Sequence, residues 1–250
     1  MVVQHPGAGA RPCKKPMQIF AWQYLETMPN LAETPVLYSF RRCPYAMRAR
    51  MALFASSQAC ELREVLLRDK PLEMIEQSPK ATVPVLVLEE GEVLEQSLDI
   101  MLWALNQNDP DHWLEPEGAS LEDMLALIQA TEGEFKGNLD RYKYANRYAG
   151  ADPLHHRSEA EKFLKQLEAR LADSAHLFDS NPTLADYAIA PFIRQFANTD
   201  RDWFDAAPYP NLQKWLENFL AQEPFTAVMA KYPVWQAGDA ATLFGVQKNL

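Results

Sequence analysis

Val36-Leu-Tyr-Ser-Phe40 is the first regular pattern in the chain, a short apolar run of the kind that makes a buried strand. Cys43-Pro44 then leads into a segment where Met47, Met51 and Phe54 recur at helical spacing. Pro44 suits a first helical turn, where its missing N–H would have no acceptor in any case. Leu62 to Leu67 predicts a second strand and Pro71 to Gln77 a short helix. Val85-Leu-Val-Leu88 and Val93-Leu-Glu95 flank Glu89-Glu-Gly-Glu92, which is the pattern of a β-hairpin. A helix is expected from Ser97 to about Leu105, giving the order βαβαββα.

The stretch 106–118 is polar and rich in chain breakers and reads as a linker. Beyond it no further strand is expected. Ser120-Leu-Glu-Asp123 opens a long helix expected to reach about Tyr148. Ser158-Glu-Ala-Glu161 opens another, with Phe163, Leu164, Leu167 and Leu171 on one face. Thr183-Leu-Ala-Asp186 has the form of a capping box, in which Thr183 caps the Asp186 amide while Asp186 reaches back. Pro191 falls inside that helix and predicts a kink. Further helices are expected near Pro210-Asn211 and Pro224. The fold class is therefore α+β, with a thioredoxin-like βαβαββα domain over 34–105 and an all-helical domain over 119–235. Residues 1–33 are expected to be a poorly ordered leader, with Met17 and Met28 as alternative starts, and 236–250 a tail.

Composition agrees with two domains of ordinary size: 250 residues, 48% apolar and 23% charged. A net charge of -10 argues against a nucleic-acid partner, because phosphate binding needs clustered Lys and Arg. No run approaches the roughly 18 apolar residues that a spanning helix needs. In the leader, Pro16, Gln18 and Gln23 interrupt what would otherwise resemble a signal peptide. Three cysteines make no disulfide framework, so reduced thiols in a cytoplasmic protein are the expectation.

One of those thiols is placed for chemistry. Cys43 stands at a helix N-terminus, where unpaired backbone N–H groups and the helix dipole favour thiolate. Arg41 and Arg42 add positive charge beside it, which predicts a lowered pKa. Cys13 and Cys60 lack that setting. A dithiol redox site would read Cys-x-x-Cys, whereas this one reads Cys43-Pro-Tyr-Ala46. A monothiol must form its mixed disulfide with something from solution, which points to a small thiol cosubstrate. Taken singly, Lys70 and Lys80 read as surface charges, Val83-Pro84 as a strand start and Ser97 as a helix cap.

Together, Cys43-Pro-Tyr-Ala-Met-Arg-Ala-Arg50, Lys70-Pro71, Val83-Pro-Val-Leu86, Gln96-Ser97 and Thr183-Leu-Ala-Asp186 resemble the glutathione S-transferases, in particular the cysteine-type, omega-like classes. The resemblance covers about residues 35–232. It implies that Cys43 forms the mixed disulfide with glutathione and that Tyr45 packs beside it. Lys70 corresponds to a lysine on the glycyl carboxylate, and Val83 to the residue whose backbone pairs with the cysteinyl part. Pro84 corresponds to the family's cis proline, and Gln96 and Ser97 to the pair at the γ-glutamyl end, where many omega members have Glu for Gln. A second-substrate site between the domains would use the helix from Ser120, with Phe135, Tyr142 and Tyr144 as candidates and Trp203 a further one.

The implied activity is a glutathione-dependent thiol transferase or reductase, with glutathione as cosubstrate, no metal, and a homodimer as the assembly. Two alternatives stand beside it. A conjugating transferase would use a hydroxyl such as Tyr38 or Ser39. A non-enzymatic binding or adapter protein would have no need for Cys43, Lys70 and Ser97 together.

Overall fold

In a computed structural model, Met1 and residues 34–246 are described. The expectations for the leader and for Cys13 fall on residues outside that range. The sheet has five strands in the order β4-β3-β1-β2-β5. β1 (Val36–Ser39) lies parallel to β2 (Cys60–Glu64) and antiparallel to β3 (Val85–Val87). A parallel pair needs a crossover, and α1 (Pro44–Ala55) supplies it. β4 (Val93–Leu94) completes the hairpin with β3, and Gly91 turns it at φ 84°. The second strand starts two residues earlier than the apolar run suggests. Cys60, Leu62 and Glu64 are its buried face, so its alternation includes a carboxylate that a hydrophobicity count passes over.

α1 is buried on nearly every side, against α3 (Ser97–Gln107), α7 (Leu184–Ala197) and α10 (Glu223–Val228). Helical spacing reveals only Met47, Met51 and Phe54. The buried set also includes Ala46, Ala49 and two arginines, Arg48 and Arg50. A short helix, α2 (Leu72–Gln77), precedes the loop to β3.

The helix from Ser120 starts as expected, with Ser120 N–H donating to Asp123 Oδ2 at 3.0 Å. It is not continuous. α4 (Leu121–Ala130) passes into a π-helical turn over Thr131–Phe135, and α5 (Lys136–Lys143) follows. Gly133 departs from helical geometry at φ −83°, ψ −111°, and glycine is the ordinary residue least committed to a helix. That irregular turn is what aims Glu132 at the other domain. α6 (Pro153–Arg170) begins earlier than Ser158, capped by Asp152, which accepts from Leu154 N–H at 2.9 Å.

The capping box of α7 is present, with Thr183 N–H donating to Asp186 Oδ2 at 2.9 Å. Asp186 also accepts from Trp215 Nε1 at 2.7 Å and Leu177 N–H at 3.0 Å, so one buried carboxylate ties three segments. Within the polar stretch 106–118, Trp113 is buried and stacked on Tyr187 at 3.6 Å. α8 (Arg201–Ala206) and α9 (Pro210–Ala221) complete the helical part before α10.

The expectation of no strand after residue 118 is corrected. β5 (Leu243–Phe244) pairs antiparallel with β2 at Cys60 and Glu61. On the way back, Trp235 N–H donates to Glu64 carbonyl O at 2.9 Å. Two residues are too few for a periodicity to be seen in sequence. Among the described residues, no helix is long and apolar enough to cross a membrane.

Candidate functional site

Cys43 is the N-cap of α1, with extended backbone at φ −78°, ψ 123° and Pro44 in the first turn. Its Sγ–H donates to the Val83 carbonyl O at 3.7 Å, and the Val83–Pro84 peptide is cis. The thiol faces a cavity of about 600 Å³, a size that suits a small ligand. Three loops converge there. Lys70 precedes α2, the segment 80–84 leads into β3, and Glu95-Gln96-Ser97 opens α3.

Cys43, Tyr45, Lys70, Val83, Pro84, Gln96 and Ser97, singled out in the sequence, all line this cavity. Tyr45 sits edge-on to Phe192 of α7 at 4.8 Å. Burial and the nearby Glu132 carboxylate push its phenol up to about 12, so it stays protonated at neutral pH. Lys80, a surface charge by its sequence context, also lines the cavity.

The aromatic candidates for a second site lie elsewhere. Phe135 is only 2% exposed and packs on Phe163 and Phe196, and Tyr142 packs on Phe196. Tyr144 ends α5 with the Arg147 guanidinium 4.3 Å from its ring, and Trp203 packs on Phe196. None of the four lines the Cys43 cavity. On an amphipathic helix the inward face takes the large rings, and that apolar demand accounts for Phe135 and Tyr142.

The expected lowering of the Cys43 pKa is also corrected. Burial pushes the thiol up from its ordinary value and outweighs everything that opposes it. The opposing influences are the N–H groups of Ala46 and Tyr45, then the cations of Lys136 and Arg48. Arg41 and Arg42 are not the relevant charges. Arg41 instead donates its backbone N–H to Glu64 Oε1 at 2.7 Å.

Two residues missed in the sequence organise the site. Arg48, 2% exposed, donates from Nε to Ser97 Oγ at 2.9 Å and pairs with Glu132. Its guanidinium lies between the rings of Tyr45 (5.2 Å) and Phe192 (5.4 Å). Burial pulls its pKa down, and Glu132 opposes that fall. Glu95 lines the cavity and accepts from Ser78 Oγ. The signal for Arg48 is its period: it stands where α1 must be buried, and a buried arginine needs a carboxylate. Its partner, 84 residues away, has no such signature.

The donor set fits a small peptide with a carboxylate at each end. Lys70 and Lys80 offer cations, the first-turn amides of α3 offer donors, and Glu95 offers an acceptor for an ammonium. Val83, which lines the cavity, has a backbone N–H with no protein acceptor among the described residues.

Family models for the glutathione S-transferase N-terminal and C-terminal domains match residues 37–113 and 113–218. The chain belongs to the glutathione S-transferase family. It is 28% identical over 218 residues to the pyrimidodiazepine synthase of Drosophila melanogaster, covering 82% of this chain and 84% of that one. It is 24% identical over 160 residues to glutathione S-transferase omega-1 of Mus musculus, covering 64% and 65%. Its fold matches a glutathione transferase family member from Pseudomonas fluorescens, solved with two glutathione bound. That match has a TM-score of 0.69 and 18% identity, covering 85% of this chain and 99% of that one. Membership accounts for the pairing of a thioredoxin-like domain with a helical one, and for the cavity forming at the carboxyl ends of β1 and β2 rather than on the far edge of the sheet.

Proposed function

We propose that this glutathione S-transferase is a glutathione-dependent thiol transferase of the cysteine-type, omega-like class, acting through a mixed disulfide on Cys43. The observation that carries the reading is the placement of one thiol over the first turn of α1, against the Val83 backbone and in a cavity with Lys70, Gln96 and Ser97. Cys60 is fully buried at the start of β2, level with the start of β1, whereas Cys43 follows the far end of β1. Among the described residues, no second cysteine therefore stands beside it to resolve a disulfide. The hydroxyls a conjugating mechanism would use are occupied or enclosed. Tyr38 OH accepts from Arg63 Nη1 at 2.8 Å, and Ser39 is buried within β1.

In this reading Lys70 and the amide of Ser97 hold the two carboxylate ends of glutathione, and the Val83 backbone aligns its cysteinyl part. Cys43 loses its proton to solvent and its thiolate attacks the glutathionyl sulfur of a disulfide RS–SG. The Cys43–glutathionyl bond forms, the original S–S bond breaks, and RS⁻ leaves and takes a proton. A second glutathione thiolate then attacks the glutathionyl sulfur, yielding oxidised glutathione and restoring the Cys43 thiolate. Lys136 and Arg48 favour the anionic sulfur at both ends of the cycle.

The test is incubation with oxidised glutathione followed by mass measurement. One glutathionyl group should add at Cys43, and Cys43→Ala should lose disulfide-reductase activity while keeping its melting temperature. Full activity in Cys43→Ala overturns the mechanism. Lys70→Ala should raise the glutathione KM about tenfold, the worth of one charge-assisted hydrogen bond. The reading also includes a cytoplasmic homodimer. Light scattering should then give about twice the chain mass of 28.5 kDa, and a monomer mass at all concentrations overturns the dimer.

A further inference from the structure

The turn that delivers Cys43 to the cavity is closed by a backbone bond from Cys43 N–H to the Phe40 carbonyl O at 2.9 Å. Arg41 and Arg42 are its two central residues, and that closure leaves the Arg41 N–H free for another partner. A side chain from the neighbouring strand takes it. Glu64, the last residue of β2, accepts the Arg41 N–H on Oε1 at 2.7 Å, from 23 residues away in the sequence. Glu64 is itself well anchored. It is paired with Ser39 of β1, and its carbonyl O accepts from Trp235 N–H at 2.9 Å. Its second carboxylate oxygen, Oε2, lies 3.8 Å from Arg50 Nη1. Arg50 stands about two turns along α1 from Cys43, so Glu64 bridges the turn and the body of the same helix.

The way Glu64 divides its two oxygens separates this role from simple stabilisation. Arg50 is completely buried, and among the described residues none of its side-chain nitrogens makes a hydrogen bond. A buried arginine gains most from a carboxylate docked on it at hydrogen-bonding distance. Among the described residues, Glu64 is the carboxylate within ion-pairing distance of Arg50, yet it stays 3.8 Å away and gives one oxygen to the turn. The rings of Tyr232 and Phe244 enclose the guanidinium on other sides, at 5.5 and 5.0 Å. A pair built for stability alone would close, whereas this one is held open toward Arg41. The consequence falls on the sulfur. Cys43 caps α1, and its Sγ stands over the first turn with the Val83 carbonyl O 3.7 Å away. A turn free to swing about Phe40 would shift that sulfur against a disulfide bound in the cavity, and displacement at sulfur needs the attacking and leaving atoms aligned.

We infer that Glu64 is a positioning residue for Cys43: by tying the Arg41 N–H to β2 and, through Arg50, to the body of α1, it fixes the angle from which the thiolate meets a bound disulfide. The inference rests on the glutathione reading of the cavity and adds a residue, absent from the cavity lining, on which the reaction depends.

Two variants separate the reach of the side chain from its charge. Glu64→Gln keeps an accepting oxygen at the same reach and removes the charge opposite Arg50. Glu64→Asp keeps the charge on a side chain one methylene shorter. Each protein is mixed with saturating oxidised glutathione above the thiol midpoint, and glutathionylation of Cys43 is followed by mass. Glu64→Asp should react roughly tenfold more slowly, the worth of one charge-assisted hydrogen bond, with the half-saturating concentration unchanged. Glu64→Gln should recover most of the wild-type rate although its melting temperature falls. Iodoacetamide needs no docked geometry and should alkylate Cys43 at the same rate in all three proteins. A wild-type rate in Glu64→Asp overturns the inference alone, as does slow glutathionylation in both variants that follows their loss of stability. If Glu64→Asp fails to fold, hydrogen exchange in the wild-type protein decides. The Arg41 N–H should be at least tenfold better protected than that of Arg42, and equal protection overturns the inference. A wild-type protein that takes up no glutathione overturns the glutathione reading and this inference with it.

Discussion

Arg48 Nε donates to Ser97 Oγ at 2.9 Å from inside the interface between the two domains. The same guanidinium reaches Glu132 in the π-helical turn, so the first turn of α3 is positioned by a residue of α1 and a residue of the helical domain. The geometry of the cavity at Ser97 and the docking of the two domains thereby share one side chain.

Arg48→Met should lower unfolding free energy by about 2–3 kcal/mol. That is at or below the roughly 3–5 kcal/mol for breaking a fully buried ion pair, because Glu132 keeps 32% of its side chain exposed. Adding Glu132→Gln should restore some of the loss by removing the stranded charge. Glutathione KM should rise in Arg48→Met with a smaller change in kcat. Urea denaturation and steady-state kinetics measure both, and a second substitution that merely adds to the loss would exclude the coupling.

The Cys43 thiol should react slowly at neutral pH and faster as pH rises, because burial holds its pKa above the ordinary value and only the thiolate attacks. Alkylation by iodoacetamide, followed against pH, should place the midpoint above that of a free thiol. Lys136→Met removes an opposing cation and should move the midpoint higher still. A midpoint near neutrality would contradict this account.

Cys60 gives a stability signature of its own. It is fully buried and its pKa is pushed up to about 12 from an ordinary value of 9.0. The unfolded chain therefore releases its proton first, and the folded form binds more protons above pH 9. Stability should fall as pH rises from 9 toward 12, by up to about 1.4 kcal/mol per pH unit from this group. Cys60→Ala should flatten that region of the profile relative to wild type. Parallel profiles for the two proteins would show that the thiol does not contribute.

Gly245 has φ 83°, and a Cβ there would stand 2.1 Å from the Gln58 carbonyl oxygen. Backbone cannot yield as a flexible side chain would, so Gly245→Ala should release β5. Leu62 N–H, which donates to Thr242 carbonyl O at 2.7 Å, should then exchange with deuterium at least tenfold faster. Unchanged exchange at Leu62 would show that the terminal strand tolerates the methyl.

The cavity is legible in the sequence because its components are local. Cys43-Pro44, Val83-Pro84 and Gln96-Ser97 each combine a turn or cap with its own chemistry, and Thr183 to Asp186 states a capping box outright. Arg48–Glu132 and Arg50–Glu64 cannot be read the same way, since a buried arginine looks like a surface one until its helix is known to be enclosed. The ionisation of the thiol is misread from sequence for a related reason. Helix-end amides are visible there, whereas the desolvation that outweighs them arises only from packing against Val83 and the small core around it. Phe135 and Tyr142 pack in the helical core and not along the Cys43 cavity, a distinction periodicity cannot make, because it shows that a face is apolar without showing what that face meets.

The return of the chain from α10 to β5 bears on how this protein can be rebuilt. Cys60 and Glu61 take their outer neighbours, Phe244 and Leu243, from beyond the helical domain, and Arg50 is enclosed between the rings of Tyr232 and Phe244. A cut at the linker would strip the glutathione-side domain of a sheet edge and uncover a charged guanidinium. Chimaeras that exchange helical domains between relatives should therefore need two junctions, with residues 230–246 kept from the parent that supplies the N-terminal domain.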